Sequence, residues 1–131
     1  MTDDIRKIVD SGLNATLGFH FADVGADRVE LTWTVGPQHL QPFGIVHGGV
    51  YCSAVESAAS IGAAMWLGDR GHVVGVANHT NFLHAVREGT LSAVATPIHR
   101  GRSQQLWLVE ITDDQQRAVA RGEVRLQNLT S

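Results

Sequence analysis

Cysteine is nearly absent from the sequence, and its scarcity narrows the possibilities early. Cys52 is the single cysteine, which excludes an intramolecular disulfide and a Cys-rich zinc site. One free thiol fits a reducing compartment, so a cytoplasmic location is expected. Basic charge is lacking too. Ten Lys and Arg stand against thirteen Asp and Glu, for a formal net charge of −3. A nucleic-acid binder carries a basic excess, so no nucleic-acid partner is expected. The opening Met1-Thr2-Asp3-Asp4 is acidic and holds no apolar run, so a signal peptide is not expected. The seven histidines, at 20, 39, 47, 72, 79, 84 and 99, form no His-x-x-x-His or Glu-x-x-His grouping on a helix. No metal is therefore expected. A Gly-x-Ser-x-Gly elbow is missing, as are Walker and Rossmann glycine patterns. There is no internal repeat and no low-complexity tract.

What is present reads as one α+β domain over residues 1–131. With 44% hydrophobic and 18% charged residues, the chain has an ordinary globular composition and can bury a core without covalent staples. Asp3 to Leu17 reads as one amphipathic helix, with Ile5, Ile8, Val9 and Leu13 on one side and Thr2 or Asp3 as its cap. A strand begins at Phe19. Val29 to Val35 alternates, with Val29, Leu31, Trp33 and Val35 on one face. Gln38 to Gly49 reads as a loop. Val50 to Leu67 reads as a helix of about 27 Å, apolar nearly all round and carrying one charge, Glu56. Such a helix is buried in protein or membrane. The internal Glu and the lack of basic flanks argue against a membrane. Val73–Ala85, Thr90–His99, Gln104–Thr112 and Ala118–Gln127 then read as a four-stranded antiparallel meander curved about the helix.

The candidate chemistry gathers around that helix. Gly48 and Gly49 stand at its start, where N–H groups lack helical partners and the dipole is positive. Glycine lets a substrate approach this backbone, which suits it to an oxyanion forming on a carbonyl. Glu56 follows two turns later among Ala54, Val55, Ser57 and Ala58, surroundings that make a carboxylate costly unless it is paired. Ser60, at i+4, shares its face. Taken singly, each residue has a plainer reading. Glu56 could be a structural hydrogen-bonding group, Ser60 a small packing residue and His47 a satisfied structural histidine. Arg100 and Arg102 flank Gly101 in a turn of an acidic chain, which suits phosphate binding or merely a solvated hairpin. Together, the residues behind a glycine-rich helix start point to a site.

The block Gln41-Pro-Phe-Gly-Ile-Val-His47-Gly48-Gly49, continued to Glu56 and Ser60, resembles the hotdog-fold acyl-CoA thioesterases. The likeness is greatest to the bacterial branch acting on aromatic acyl-CoAs such as 1,4-dihydroxy-2-naphthoyl-CoA, together with phenylacetate-type enzymes. The resemblance runs on through VVGVANHTNFLHAVREG and PIHRGRSQQLWLVEI. It implies an antiparallel sheet wrapped around a long central helix. It also implies hydrolysis of an acyl-CoA, with an aromatic acyl group, to a carboxylic acid and free CoA. Glu56 matches the nucleophile or general base, and the Gly48 N–H matches the donor to the thioester carbonyl. Gln41 and His47 match positioning side chains, and Ser60 matches the hydroxyl one turn beyond the carboxylate. Asn81, Phe82, His84 and Ala85 match a strand that binds pantetheine and nucleotide. Phe82 and His84 stand where His and Arg are expected in similar enzymes. His99, Arg100, Gly101 and Arg102 match a turn near the nucleotide phosphates. No cofactor is implied beyond the CoA of the substrate. A homo-oligomer is implied, as a dimer or a homotetramer, with Glu56 and Gln41 of one site on different chains. Leu40, Phe43, Met65 and Trp66 are candidates to line the acyl pocket. A hydratase or dehydratase of the same fold, or a non-catalytic acyl-CoA-binding protein, are the alternatives.

Overall fold

The computed structural model describes residues 2–130. Thr2 opens the first helix, its Oγ1 accepting the Ile5 N–H at 3.3 Å. This helix, α1, covers only Asp3–Val9. The single helix expected over Asp3–Leu17 breaks, and α2 restarts at Gly12–Thr16. Gly12 stands at φ +60°, a left-handed conformation that glycine adopts without steric cost. The break splits the expected apolar stripe. Val9 is buried, whereas Ile8 and Leu13 are 71% and 59% exposed.

Strands β1 (His20–Val24) and β2 (Val29–Thr34) form a hairpin. Val29, Leu31 and Trp33 of β2 turn inward as their alternation predicts. Helix α3 runs Gly48–Leu67, two residues earlier than the expected start at Val50. Its inward face is made of Val50, Tyr51, Ala54, Val55, Ala58, Ala59 and Ala63, small enough in the main to lie close to a sheet. The helix is long and apolar enough by length and composition to cross a membrane, yet half of that stretch is buried in the fold. It is not buried all round, as its composition suggests. Glu56, Ser57, Ser60, Ile61, Met65 and Trp66 are only partly covered, and Ala64 is exposed.

The remaining strands are β3 (Gly71–Phe82), β4 (Thr90–Arg100), β5 (Gln104–Thr112) and β6 (Ala118–Thr130). All six lie in one antiparallel sheet of order β1-β2-β4-β5-β6-β3. The expected four-stranded meander is therefore three-stranded, β4-β5-β6. Strand β3 pairs with β6 at the far edge, from Gly71↔Thr130 to Phe82↔Ala120. Residues 83–89 between β3 and β4 are too many for a tight hairpin and carry the chain across. Leu83, His84 and Ala85 lie beyond β3, not within it. The N–H groups of Leu83 and His84 both donate to the Val119 carbonyl.

The sheet curls so that α3 touches every strand, the sausage-in-bun arrangement of a hotdog fold. Trp107, Phe21, Leu31, Leu91, Ile111 and Leu126 are fully buried between the two. Each contributes roughly 2–3 kcal/mol of transfer free energy.

Candidate active site

His47 ends the loop and begins the site. Its Nδ1 accepts the Gly49 N–H at 2.7 Å, which makes it the N-cap of α3. An accepting Nδ1 carries no proton, so the neutral ring holds its proton on Nε2 and presents it outward as a donor. The next N–H, that of Gly48, donates to no group among the described residues. Phe82 packs against Gly48 so closely that a Cβ there would press on its ring. The loop before His47 is closed on itself. Gln41 N–H donates to the Ile45 carbonyl at 2.8 Å, and the Gly44 N–H donates to the Gln41 carbonyl at 2.9 Å. Gln41 Oε1 accepts the Phe43 N–H, and its Nε2 donates to no group among the described residues.

Gln41, Gly48 and Phe82 share one cleft of about 370 Å³, lined also by Tyr51, His84 and Ala85 among others. Tyr51 is buried, and its hydroxyl meets no partner among the described residues. Burial pushes this phenol up to about 12, so it is a proton-bearing group across the working pH range.

Glu56 lies elsewhere on α3. Eight residues beyond Gly48, it is displaced by about 12 Å along the axis. Its Oε1 accepts from Asn78 Nδ2 at 3.2 Å and its Oε2 from Ser60 Oγ at 3.4 Å. Asn78 also donates to the Cys52 carbonyl at 3.1 Å and accepts from Thr80 Oγ1 at 2.7 Å. Gly75 of β3 lies against the carboxylate, and any side chain there would strike Glu56 Oε2. The costly carboxylate is thus paired, and it is fixed from both α3 and β3. Asn78, Thr80 and Gly75 escaped the sequence reading. Asn78 and Thr80 stand two apart, which signals a shared strand face. The shift in register between Gly75 and Ala77 hides which face that is.

The other expected contacts are dispersed within one chain. Asn81 lies in a separate groove with His79, Arg121 and Glu123. His99 lines a third, with Gln104, Leu106 and Arg125. The turn carrying Gly101 and Arg102 is fixed by buried Asn128, whose Nδ2 donates to both of their carbonyls. Arg100 is held by the β1–β2 turn, donating to the Ala26 carbonyl at 2.8 Å and to Asp27 at 2.7 Å. Within one chain, then, the fold joins Gln41, Gly48, Phe82, His84 and Ala85, with His47 beside them. It places Glu56 and Ser60 together about 12 Å away. Along α3 the two sets are therefore separate.

Residues 43–120 match the family model of the thioesterase superfamily. A Mycobacterium tuberculosis protein described as a candidate esterase is 51% identical over 119 residues, covering 88% of this chain and 85% of that one. The 1,4-dihydroxy-2-naphthoyl-CoA hydrolase of Escherichia coli is 33% identical, covering 86% and 88%. A solved thioesterase of Haemophilus influenzae superposes with a TM-score of 0.92 at 28% identity, covering 99% and 91%.

Proposed function

The chain belongs to the thioesterase superfamily, a family of thioester hydrolases, and from that premise we propose that it cleaves an acyl-CoA bearing an aromatic acyl group. The site is shared by two copies, with Glu56 from one and Gly48, Gln41 and His47 from the other. The observation that carries this reading is the Glu56 carboxylate, held between Asn78 and Ser60 with part of its surface open. The E. coli relative's name supports the aromatic acyl group.

In the reaction, the thioester oxygen lies on the Gly48 N–H, with Gln41 Nε2 and His47 Nε2–H as neighbouring donors. Two routes need the same carboxylate. As general base, Glu56 takes a proton from water as its oxygen adds to the carbonyl carbon. As nucleophile, it adds there itself and forms a mixed anhydride that water then opens. In both, charge gathers on the carbonyl oxygen opposite Gly48, where a preorganised donor is strongest. In the general-base route the C–S bond then breaks, and the CoA thiolate takes the proton that Glu56 drew from water. In the nucleophilic route breaking the C–S bond is what yields the anhydride, and the thiolate takes its proton from the water that opens it. Phe82 at the end of β3 and His84 and Ala85 just beyond it line the approach for the pantetheine arm, with Asn81 beside Phe82 on β3 in the neighbouring groove. The His99–Arg102 turn offers Arg102 to the phosphates, and Arg100 joins it on release from Asp27. CoA enters as part of the substrate, and no further cofactor is invoked.

The free edge of β3 supports an oligomer, a dimer or a dimer of dimers. Its Val74, Val76 and Phe82 are 43%, 55% and 55% exposed, and an open apolar edge strand invites a partner. A cytoplasmic enzyme fits the single unpaired cysteine.

Glu56→Gln keeps the size of the side chain and removes its basicity. Release of CoA, followed with a thiol reagent, should fall on the order of 10²–10⁴-fold while substrate still binds. A folded Glu56→Gln protein with near wild-type kcat would overturn the assignment.

A further inference from the structure

A groove of about 610 Å³ begins one helical turn beyond Glu56. Its floor is Ile61, Ala64 and Met65 of α3, one wall is Ile5 and Ile8 of α1, and the other wall is Val73 of β3. From Ser60 to Gly68 it follows α3 for about 12 Å. Ser60 is the one polar side chain among the residues that line it, and its hydroxyl is directed to Glu56 Oε2. The groove therefore reaches the carboxylate at one end and is predominantly apolar along its length. Val73 stands two residues before Gly75, the residue lying against that carboxylate, so α3 and β3 guide the same path.

Resting on the thioesterase reading above, we propose that this groove takes the acyl group, and that the acyl group is an unsubstituted hydrocarbon. A ring or chain bearing hydroxyl groups would bury them beside a single side-chain partner, Ser60, whose proton is already given to Glu56, and would leave most of their hydrogen-bonding capacity unmet. This separates the chain from its E. coli relative, whose name specifies a dihydroxynaphthoyl group. It also gives α1 a role. Ile8 stands at the rim of the groove and is exposed. Of the residues expected to line an acyl pocket, Met65 does so, whereas Phe43 is 85% exposed on its loop.

The test is kcat/KM on paired thioesters. 2-Naphthoyl-CoA should be preferred over 1,4-dihydroxy-2-naphthoyl-CoA by roughly tenfold to a hundredfold. Along acetyl-, butyryl-, hexanoyl- and octanoyl-CoA, the value should climb by roughly fourfold per methylene until the groove is full. Ile61→Asn and, at the exposed rim, Ile8→Ser should both lower the preference for the unhydroxylated naphthoyl ester. Equal or better use of the dihydroxy ester overturns the proposal while leaving the thioesterase reading intact. So does a flat response to chain length. If a second copy covers the groove instead, both variants will disturb the oligomer and reduce all esters alike with the ratio unchanged, which also overturns it. Hydrolysis of none of these esters overturns the thioesterase reading itself, and this proposal with it.

Discussion

Replacing His47 with alanine removes the acceptor of the Gly49 N–H and with it the cap of α3. Loss of such a cap costs about 0.5–2 kcal/mol. Asparagine is among the best capping residues, so His47→Asn should restore the Tm that His47→Ala loses. It should not restore kcat/KM to the same degree, because the Nε2 donor is gone. Thermal melts beside thioester kinetics on the two variants check this, and full recovery of both by asparagine would reduce His47 to a cap. The same division marks what was legible at this scale. Glu56 and Ser60 were visible because a lone charge on an apolar helix, with a hydroxyl at i+4, stands out in any reading. The capping role of His47 was not, since histidine is an uncommon cap and the helix was read as starting at Val50. Asn78 was hidden because its orientation depends on the register shift between Gly75 and Ala77, which leaves no mark in the hydrophobic alternation.

The turn between β5 and β6 is governed by one carboxylate. Asp113 Oδ1 accepts the N–H groups of Arg117 and Gln115, each at 2.9 Å, and Oδ2 accepts from Arg117 Nε at 2.7 Å. Chiefly the Arg117 backbone N–H, then its side chain and the Gln115 N–H, hold this carboxyl below its ordinary value near 3.8. A depressed carboxylate stabilises the fold fully above the ordinary value and loses that contribution as pH falls through the lowered one. Asp113→Asn should therefore be less stable than wild type at neutral pH, with the gap closing in acid. Urea unfolding at pH 7 and near pH 3 measures it, and a gap that is independent of pH would refute the assignment. Turns and strands of this kind were legible in the sequence, because Asp113-Asp114-Gln115-Gln116 interrupts two alternating runs. The order of the strands was not. Short-range alternation cannot say that β3 leaves its neighbour in sequence, β4, for β6, because that choice follows from wrapping the sheet around α3. Nor does the pattern reveal the break at Gly12, where the apolar spacing continues across a residue whose backbone turns left-handed.

At the scale of the molecule, two features of the single chain are unfinished. Strand β3 ends the sheet with an unpaired apolar edge, and the groups suited to a thioester are divided along α3 between Gly48 and Glu56. The proposed dimer answers both if the second copy sits against β3, where it would cover the edge and set its own Gly48 toward Glu56. The most direct test of this composite site is complementation between two disabled variants. Glu56→Gln removes the carboxylate. Gly48→Pro removes the oxyanion donor at a position where helices accept proline, and His47 already has the φ −64°, ψ 135° that suits a residue before proline. The added Cβ displaces the half-exposed Phe82 ring. Each variant alone should hydrolyse thioester on the order of 10²-fold more slowly or worse. Co-expressed in equal amounts, they should recover about a quarter of wild-type activity, the value for random pairing in a two-fold dimer where half the mixed sites are intact. Activity that stays at the average of the two parents would contradict a site built from two copies.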